Sequence, residues 1–306
     1  MDELGNLSAF LKVVERGSLT SAAAALHCSA STISKRLKQL EHSVGATLLN
    51  RSTHGRAYPT EAGRAYFDQV RTIVRELENA RESVRSVNET LEGQLRVHLT
   101  PGTGQMVLMP LIFRFMREHP ALRIMVSIRP DGHDVLHRGF DLSIHSKDAK
   151  EGEIGYTSIE ARELVKVDYV ICAAPAYLAA RGTPARPEDL SDHNCLVSVR
   201  QASPHQWWFR RDGFEYPVNV SGTLEADNWT TAFEAALEGL GIVRMMRIGD
   251  LSHPKASALV PIFTDDVVSG RSIWALMHRM EPTPRKIEAF CNFLRTELQG
   301  QRTRQD

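Results

Sequence analysis

Between Ser29 and Lys38 the polar residues are almost all hydroxyls or cations: Ser29, Ser31, Thr32, Ser34, Lys35 and Lys38, with the small Ala30 near the front. Short hydroxyl side chains can approach a base edge closely and lysines can neutralise phosphate. The chemistry open to this set is therefore recognition of a polyanion, not bond making. The larger apolar residues, Ile33, Leu37 and Leu40, recur at intervals of four and three, which predicts one buried stripe on a helix with the hydroxyl and basic residues on the opposite face. Ser29 stands where an N-cap would accept a backbone N–H. An ordinary solvated helix could show the same composition, so the assignment turns on its surroundings.

Upstream, Ser18 can cap a short helix through Ala22 to Ala25, and His27 and Cys28 make a tight turn into the next helix. Two helices joined in this way, with small residues at their crossing, describe a helix-turn-helix. A preceding helix, Leu7 to Arg16, offers Leu7, Phe10, Leu11 and Val14 to a shared core, and "NRSTHGRAYPT" reads as a hairpin wing carrying Arg51 and Arg56. Ser29 to Arg64 holds six Lys or Arg (Lys35, Arg36, Lys38, Arg51, Arg56, Arg64) against Glu41 and Glu61, although the whole chain balances 37 basic against 37 acidic residues. The positive field is local, which argues against a chain devoted wholly to nucleic acid.

Tyr66, Val70, Ile73, Leu77, Ala80, Val84, Val87 and Leu91 then follow one another at helical intervals with Arg and Glu between them. Such a stripe on one long helix predicts a coiled-coil seam with a second copy; a helix lying along its own protein is the alternative. Gly93 ends the run. Beyond it, strand-like runs (Leu95 to Leu99, Leu122 to Ile128, Phe140 to His145, Val165 to Ala173, Cys195 to Val199, Ile242 to Met246) alternate with helical ones. The pattern predicts an α/β fold with a largely parallel sheet. "WWFRRDGFEYPV" reads as a hairpin turning at Asp212-Gly213.

The 306 residues, 42% hydrophobic and 24% charged, are ordinary for a globular chain of two or three units, and no run approaches the roughly 18 apolar residues of a membrane span. No signal peptide is legible, so a cytoplasmic protein is expected. Cys28, Cys172, Cys195 and Cys291 lack metal-site spacing and read as reduced thiols, with a Cys172–Cys195 redox pair as the alternative. No Ser-His-Asp, paired-carboxylate or metal-ligand set is visible. Neither catalysis nor a cofactor is expected.

Phe10 to Gly63 resembles the winged helix-turn-helix of the LysR-type transcriptional regulators: Ala-Ala in the second helix, Leu-Glu closing the recognition helix, Leu-x-x-Arg leading to the wing and Thr-x-x-Gly opening the linker helix. Two positions depart from the family pattern: Ala30 stands where the family usually has Gln, and Leu49 where it has Phe. "RGFDLSIH", "DYVICAAPAYLAARGTPARPEDLSDHNCLV" and "EAALEGLGI" resemble the same family's effector domain, itself similar to type 2 periplasmic binding proteins. The resemblance implies a DNA-binding domain at 1–62, a dimerising linker helix at 63–92, and an effector domain at 93–306 with subdomains at about 93–164 plus 267–306 and about 165–266. It implies promoter DNA, a small-molecule effector and a second copy, as homodimer or homotetramer, for partners, with RNA polymerase a further one and no membrane.

In "TPGTGQMV" the Gly-x-Gly lacks the third glycine of a dinucleotide site, Val107 standing there, so a nicotinamide enzyme is the weaker reading; a solute-binding module is another. The favoured reading puts Thr100, Thr103 and free backbone N–H groups into a cleft where they could hold an anionic group. In the resembling architecture facing strand ends bring Arg129, His145, Arg200 and Asn228 to the same cleft, though each is also readable as a surface residue or a structural ion-pair member.

Overall fold

The computed structural model describes residues 2–51, 56–85, 90–130, 136, 139–148, 159–199, 203–247, 256–263 and 271–302. They form two compact units, Met1–Thr90 with Gly132–Phe140, and Leu91–Asp131 with Asp141–Asp306.

The first unit begins with α1 (Glu3–Arg16), α2 (Leu19–Ala25) and α3 (Ala30–Val44). Local chemistry sets each boundary. Asp2, Ser18 and Ser29 cap the three N-termini by accepting a first-turn N–H, and Gly17 and Gly45 end α1 and α3 in the left-handed conformation that glycine adopts without steric cost. His27 takes a positive φ in the turn between α2 and α3. Two short strands, β1 (Leu49–Arg51) and β2 (Ala57–Pro59), pair antiparallel as the wing, and α4 (Glu61–Arg85) follows. The core joins Phe10, Val13, Ala22, Ile33, Leu37, Leu40, Leu48 and Leu49 with Val70 and Val74 of α4. Ala22 and Ala23 sit at the helix crossing, while Ala24 and Ala25 face solvent. Leu49 is buried in the core, so the departure from Phe exchanges one apolar side chain for another.

Two of the residues predicted for the seam on α4 pack elsewhere. Tyr66 lies against Phe10 with ring centroids 5.7 Å apart, and Val70 is buried in the same core, so these two serve the unit's own interior. The stripe leaves that core at Ile73 and Leu77, which are exposed. The side chains of Ala80 and Val84, and all of Val87, lie outside the described residues.

The second unit runs β3 (Gly93–Leu99), a turn of π-helix Thr103–Leu108 leading into α5 (Met109–Glu118), β4 (Leu122–Ile128), β5 (Leu142–Asp148) and β6 (Ile159–Ala173). It continues through α6 (Pro175–Arg181), β7 (Cys195–Ser198), the hairpin β8 (Gln206–Arg211) and β9 (Phe214–Asn219), β10 (Glu225–Ala226), α7 (Trp229–Leu237), β11 (Ile242–Arg247), β12 (Val260–Ile262), β13 (Arg271–His278) and α8 (Arg285–Arg302). One sheet runs β10-β7-β11-β6-β13-β5-β3-β4, with β12 also on β6. The largely parallel expectation is corrected. Pairing is parallel toward both ends but antiparallel at the centre, because β6 and β13 run against their neighbours. β6 pairs with β13 over Ile159–Val167 and with β11 over Asp168–Ala173, so one continuous strand serves both halves. Arg162 fixes its first half to α8, donating to Glu160, Glu288 and Thr283. That pairing holds the Glu288 carboxyl below the usual carboxylate range. Asp212 and Gly213 both take positive φ, the geometry of a two-residue hairpin turn with the strands' own twist.

The cysteine alternative fails on sidedness. Cys172 of β6 packs in the core shared with α5 and α7, whereas Cys195 of β7 packs on the other face with Trp207 and Phe209, and β11 lies between the two strands. Burial pushes the thiols of Cys172, Cys195 and Cys291 up to about 12, far from thiolate chemistry at neutral pH. In the native protein at pH 8 an aromatic disulfide reagent should therefore titrate Cys28 alone, and all four thiols only in denaturant. Rapid release of more than one equivalent from the native protein would contradict this packing.

Candidate functional site

On α3 the two faces separate cleanly. Ile33, Leu37 and Leu40 are at most 1% exposed, while Ser29, Ala30, Ser31, Lys35 and Lys38 are exposed and Thr32 and Ser34 are intermediate. The Ser29 hydroxyl accepts the Thr32 N–H at 3.1 Å and lies 2.7 Å from the Ser31 hydroxyl and 2.8 Å from that of Thr32. Its chief commitment is thus to the helix start. Arg36, counted among the basic residues, is held in an ion pair with Asp2 at 3.0 Å and contributes less free charge than its position suggests. Arg56 is exposed beside the wing, bridged to Ser18. Arg51 ends β1, and its side chain lies outside the described residues.

A single carboxylate positions the wing against this helix. Glu41 Oε1 accepts the backbone N–H groups of Leu48 at 2.9 Å and Leu49 at 3.1 Å. The Leu48 carbonyl accepts the Thr60 N–H, and a Cβ at Gly63 would stand 2.0 Å from that oxygen. Thr60 in turn caps α4 by accepting the Gly63 N–H at 2.9 Å. The Leu-Glu and Thr-x-x-Gly motifs are therefore two sides of one junction. The wing also joins the α1–α2 turn, Ala57 N–H donating to Gly17 O at 2.9 Å.

In the second unit the strand ends gather most of the residues singled out from the sequence, in two groups. Thr100 N–H donates to Ile144 O at 3.3 Å, which sets Thr100 beside the Ile144–His145 segment. His145 is buried; its Nε2 lies 2.6 Å from Ser143 Oγ, and Ser143 Oγ lies 2.8 Å from His98 Nδ1. His98 Nε2 faces the carbonyl of Arg129 at 3.2 Å. A carbonyl only accepts, so His98 Nε2 carries a proton. With His98 neutral, Ser143 donates to His98 Nδ1 and accepts from His145 Nε2–H. Arg129 itself is exposed, and Arg200 lies outside the described residues.

The second group surrounds the turn Pro101–Thr103. Thr103 is buried, and Gly102 holds φ +74 with its Cβ side filled by the Trp229 indole, a built Cβ meeting Nε1 at 2.4 Å. Gly104 is similarly closed against Leu99. These glycines serve close packing, which removes the main support for a dinucleotide turn. Asn228 is the N-cap of α7: its side-chain oxygen accepts from Thr231 N–H and from the Thr230 and Thr231 hydroxyls. Its carboxamide is thus engaged in ordering α7. Sequence reasoning missed His98, Ser143 and Trp229. Period-two alternation puts His98 opposite Val97 and Leu99, and Ser143 with His145, but the register that brings the two strands together is a tertiary fact.

Among the described residues no group of His, Cys, Asp or Glu could hold a metal ion, and no helix is long and apolar enough to cross a membrane.

Comparison with known proteins gives a consistent result. The model for "Bacterial regulatory helix-turn-helix protein, lysR family" matches residues 4–64 and that for "LysR substrate binding domain" matches residues 88–299. The HTH-type transcriptional activator AaeR of Escherichia coli (strain K12) is 30% identical over 298 residues, covering 96% of this chain and 93% of its own. The HTH-type transcriptional activator TtdR of the same strain is 29% identical over 290 residues, covering 94% and 91%. Among solved structures, CrgA, a LysR-type transcriptional regulator from Neisseria meningitidis, aligns with a TM-score of 0.58 at 27% identity, covering 96% and 98%.

Glu41→Ala should strand two backbone donors at the wing junction, at a cost of about 1–3 kcal/mol in stability. Chemical denaturation followed by circular dichroism would measure it; a change below about 0.5 kcal/mol, the level of an ordinary surface substitution, would show that the junction does not depend on this carboxylate.

Proposed function

Because the chain belongs to the LysR family of DNA-binding transcriptional regulators with an effector-binding domain, we propose that α3 enters the major groove of promoter DNA and that the strand ends around Thr100, Thr103, Arg129 and His145 take a small anionic effector. The observation that carries the DNA reading is the division of α3. Its stripe of Ile33, Leu37 and Leu40 is spent on the core, and what is exposed from Ser29 to Lys38 is Ala30, Ser31, Lys35 and Lys38 with the capping Ser29. Lys35, Lys38, Arg51 and Arg56 supply phosphate contacts, and the N-terminal turn with Ser31, Thr32 and Ser34 lies toward the bases.

Ala30 has no group with which to read a hydrogen-bonding edge; it can touch a thymine methyl. Ala30→Gln should therefore sharpen preference at one base pair per half-site, by about 1–3 kcal/mol. Lys35→Ala should weaken all sequences alike and lower the salt slope by about one unit. Selection from a randomised operator, with titrations at several salt concentrations, separates the two effects. An identical selected sequence for Ala30→Gln and the parent would take the N-terminal turn away from the bases.

The oligomer forms through the part of α4 that leaves its own core. Ile73 is 58% exposed and Leu77 41%, large apolar side chains on one stripe of a helix whose preceding turns are already packed. Ala80 and Val84 continue the stripe at the same spacing. A homodimer so built, or a tetramer of two such dimers, places two copies of α3 on one duplex in the cytoplasm, and the effector biases that arrangement for or against RNA polymerase. The reading needs no catalytic step and no cofactor. Leu77→Asp should abolish the dimer and tight operator binding together, because it sets two carboxylates against each other in an apolar stripe. Light scattering that shows the parent's oligomer for this variant would remove the seam.

A further inference from the structure

Trp229 opens α7 and is 8% exposed, and its indole N–H has no hydrogen-bond partner among the described residues. The ring is held in place by Phe233, edge to face at 6.3 Å, and by the capping of α7 through Asn228. Its nitrogen faces the Pro101–Thr103 turn, at the one residue there that has no side chain: any Cβ at Gly102 would collide with Nε1 and its neighbouring ring carbons. A donor taken out of water and packed against a glycine is unusual, since buried polar groups almost always find a partner. The packing here supplies the donor and withholds the acceptor.

We propose, building on the effector-cleft reading above, that Trp229 is a specificity-determining residue for the effector, and that its indole N–H binds a carboxylate inserted between the ring and the Gly102 turn. An indole nitrogen donates and never accepts, so the ligand must bring the acceptor. The buried Thr103 and the half-buried Thr100 add hydroxyls on the turn. The ring and the Gly102 backbone are in contact in this structure, so the ligand enters by parting them. Insertion has a second effect. It parts Gly102, on the turn after β3, from Trp229, on α7 beyond β6, and so moves the two halves that the continuous strand joins.

The test uses the full-length protein with tryptophan labelled by nitrogen-15 in the indole ring. The chain has four tryptophans and so four indole N–H signals, and Trp229→Phe identifies the relevant one by its loss. The probes are acetate and benzoate, each titrated beside its neutral amide, with thermal unfolding recorded in parallel. At least one carboxylate should raise the melting temperature and move the Trp229 signal downfield, while acetamide and benzamide do neither. Trp229→Phe should bind that carboxylate about tenfold more weakly, the worth of one hydrogen bond. A carboxylate that raises the melting temperature but leaves the Trp229 signal still, or binds the Phe variant equally well, overturns the role of Trp229 and leaves the cleft reading standing. If an amide does what its acid does, the carboxylate assignment falls. Absence of any response to either acid overturns the assignment and counts against the anionic cleft itself. If the Phe variant does not fold, the Trp229 signal is assigned instead from its nuclear Overhauser contacts with Phe233, whose ring packs edge to face on it, and the wild-type titration then decides the matter.

Discussion

The backbone of Leu48 is the point on which the DNA-binding unit turns. Its N–H is held by the Glu41 carboxylate at the end of α3, its C=O by the N–H of Thr60 at the start of α4, and the approach of α4 to that carbonyl is close enough that only glycine fits at 63. Recognition helix, wing and linker helix are thereby fixed to one backbone unit by directional bonds, not by apolar packing alone. Apolar contact tolerates rotation of one element over another, whereas two hydrogen bonds and a steric stop do not. If two copies read one duplex, the angle between α3 and α4 sets how far apart the half-sites lie, and that angle is set here.

The effector unit obeys a different constraint. β6 is a single strand bonded to β13 in its first half and to β11 in its second, with the change of partner between Val167 and Asp168. Arg162 clamps the first half of the strand to α8 through three partners. The ends of β3 and β5 and the N-terminus of α7 thus lie on stretches of sheet that this strand joins, and one core cluster runs from Leu95 and Val97 to Trp229 and Phe233.

How much of this was legible in the sequence depends on how local the signal is. The stripe of α3, the caps Ser18 and Ser29 and the Asp212-Gly213 turn were readable, because each is decided within a few residues by period, hydrogen bonding or φ. Tyr66 and Val70 were misread as seam residues for a physical reason: a stripe there has the same period whether it packs on its own core or on a second copy. β6 was read from Val165, but it starts at Ile159, since Glu160, Arg162 and Glu163 interrupt the apolar pattern that strand reading relies on; Arg162 is held by Glu288 and Glu163 by Ser272 instead. The direction of the central strands was not readable either, as alternation is the same in parallel and antiparallel pairs.

The site residues divide along the same line. Motifs that act within one element, such as the hydroxyl turn of α3, could be found from composition and spacing. His98, Ser143 and His145 could not, because their chain of hydrogen bonds exists only through the register His98 to Ser143 across two strands some forty-five positions apart. Asn228 illustrates the converse. Its polarity drew it into a proposed ligand set, yet a side-chain oxygen just before a helix has a competing use as a cap, and here the cap takes three donors. The neighbouring Trp229 was passed over because its indole reads as core. A residue that is apolar over most of its surface and polar at one atom declares its function only when that atom's surroundings are known, which is why a buried tryptophan nitrogen is worth accounting for atom by atom.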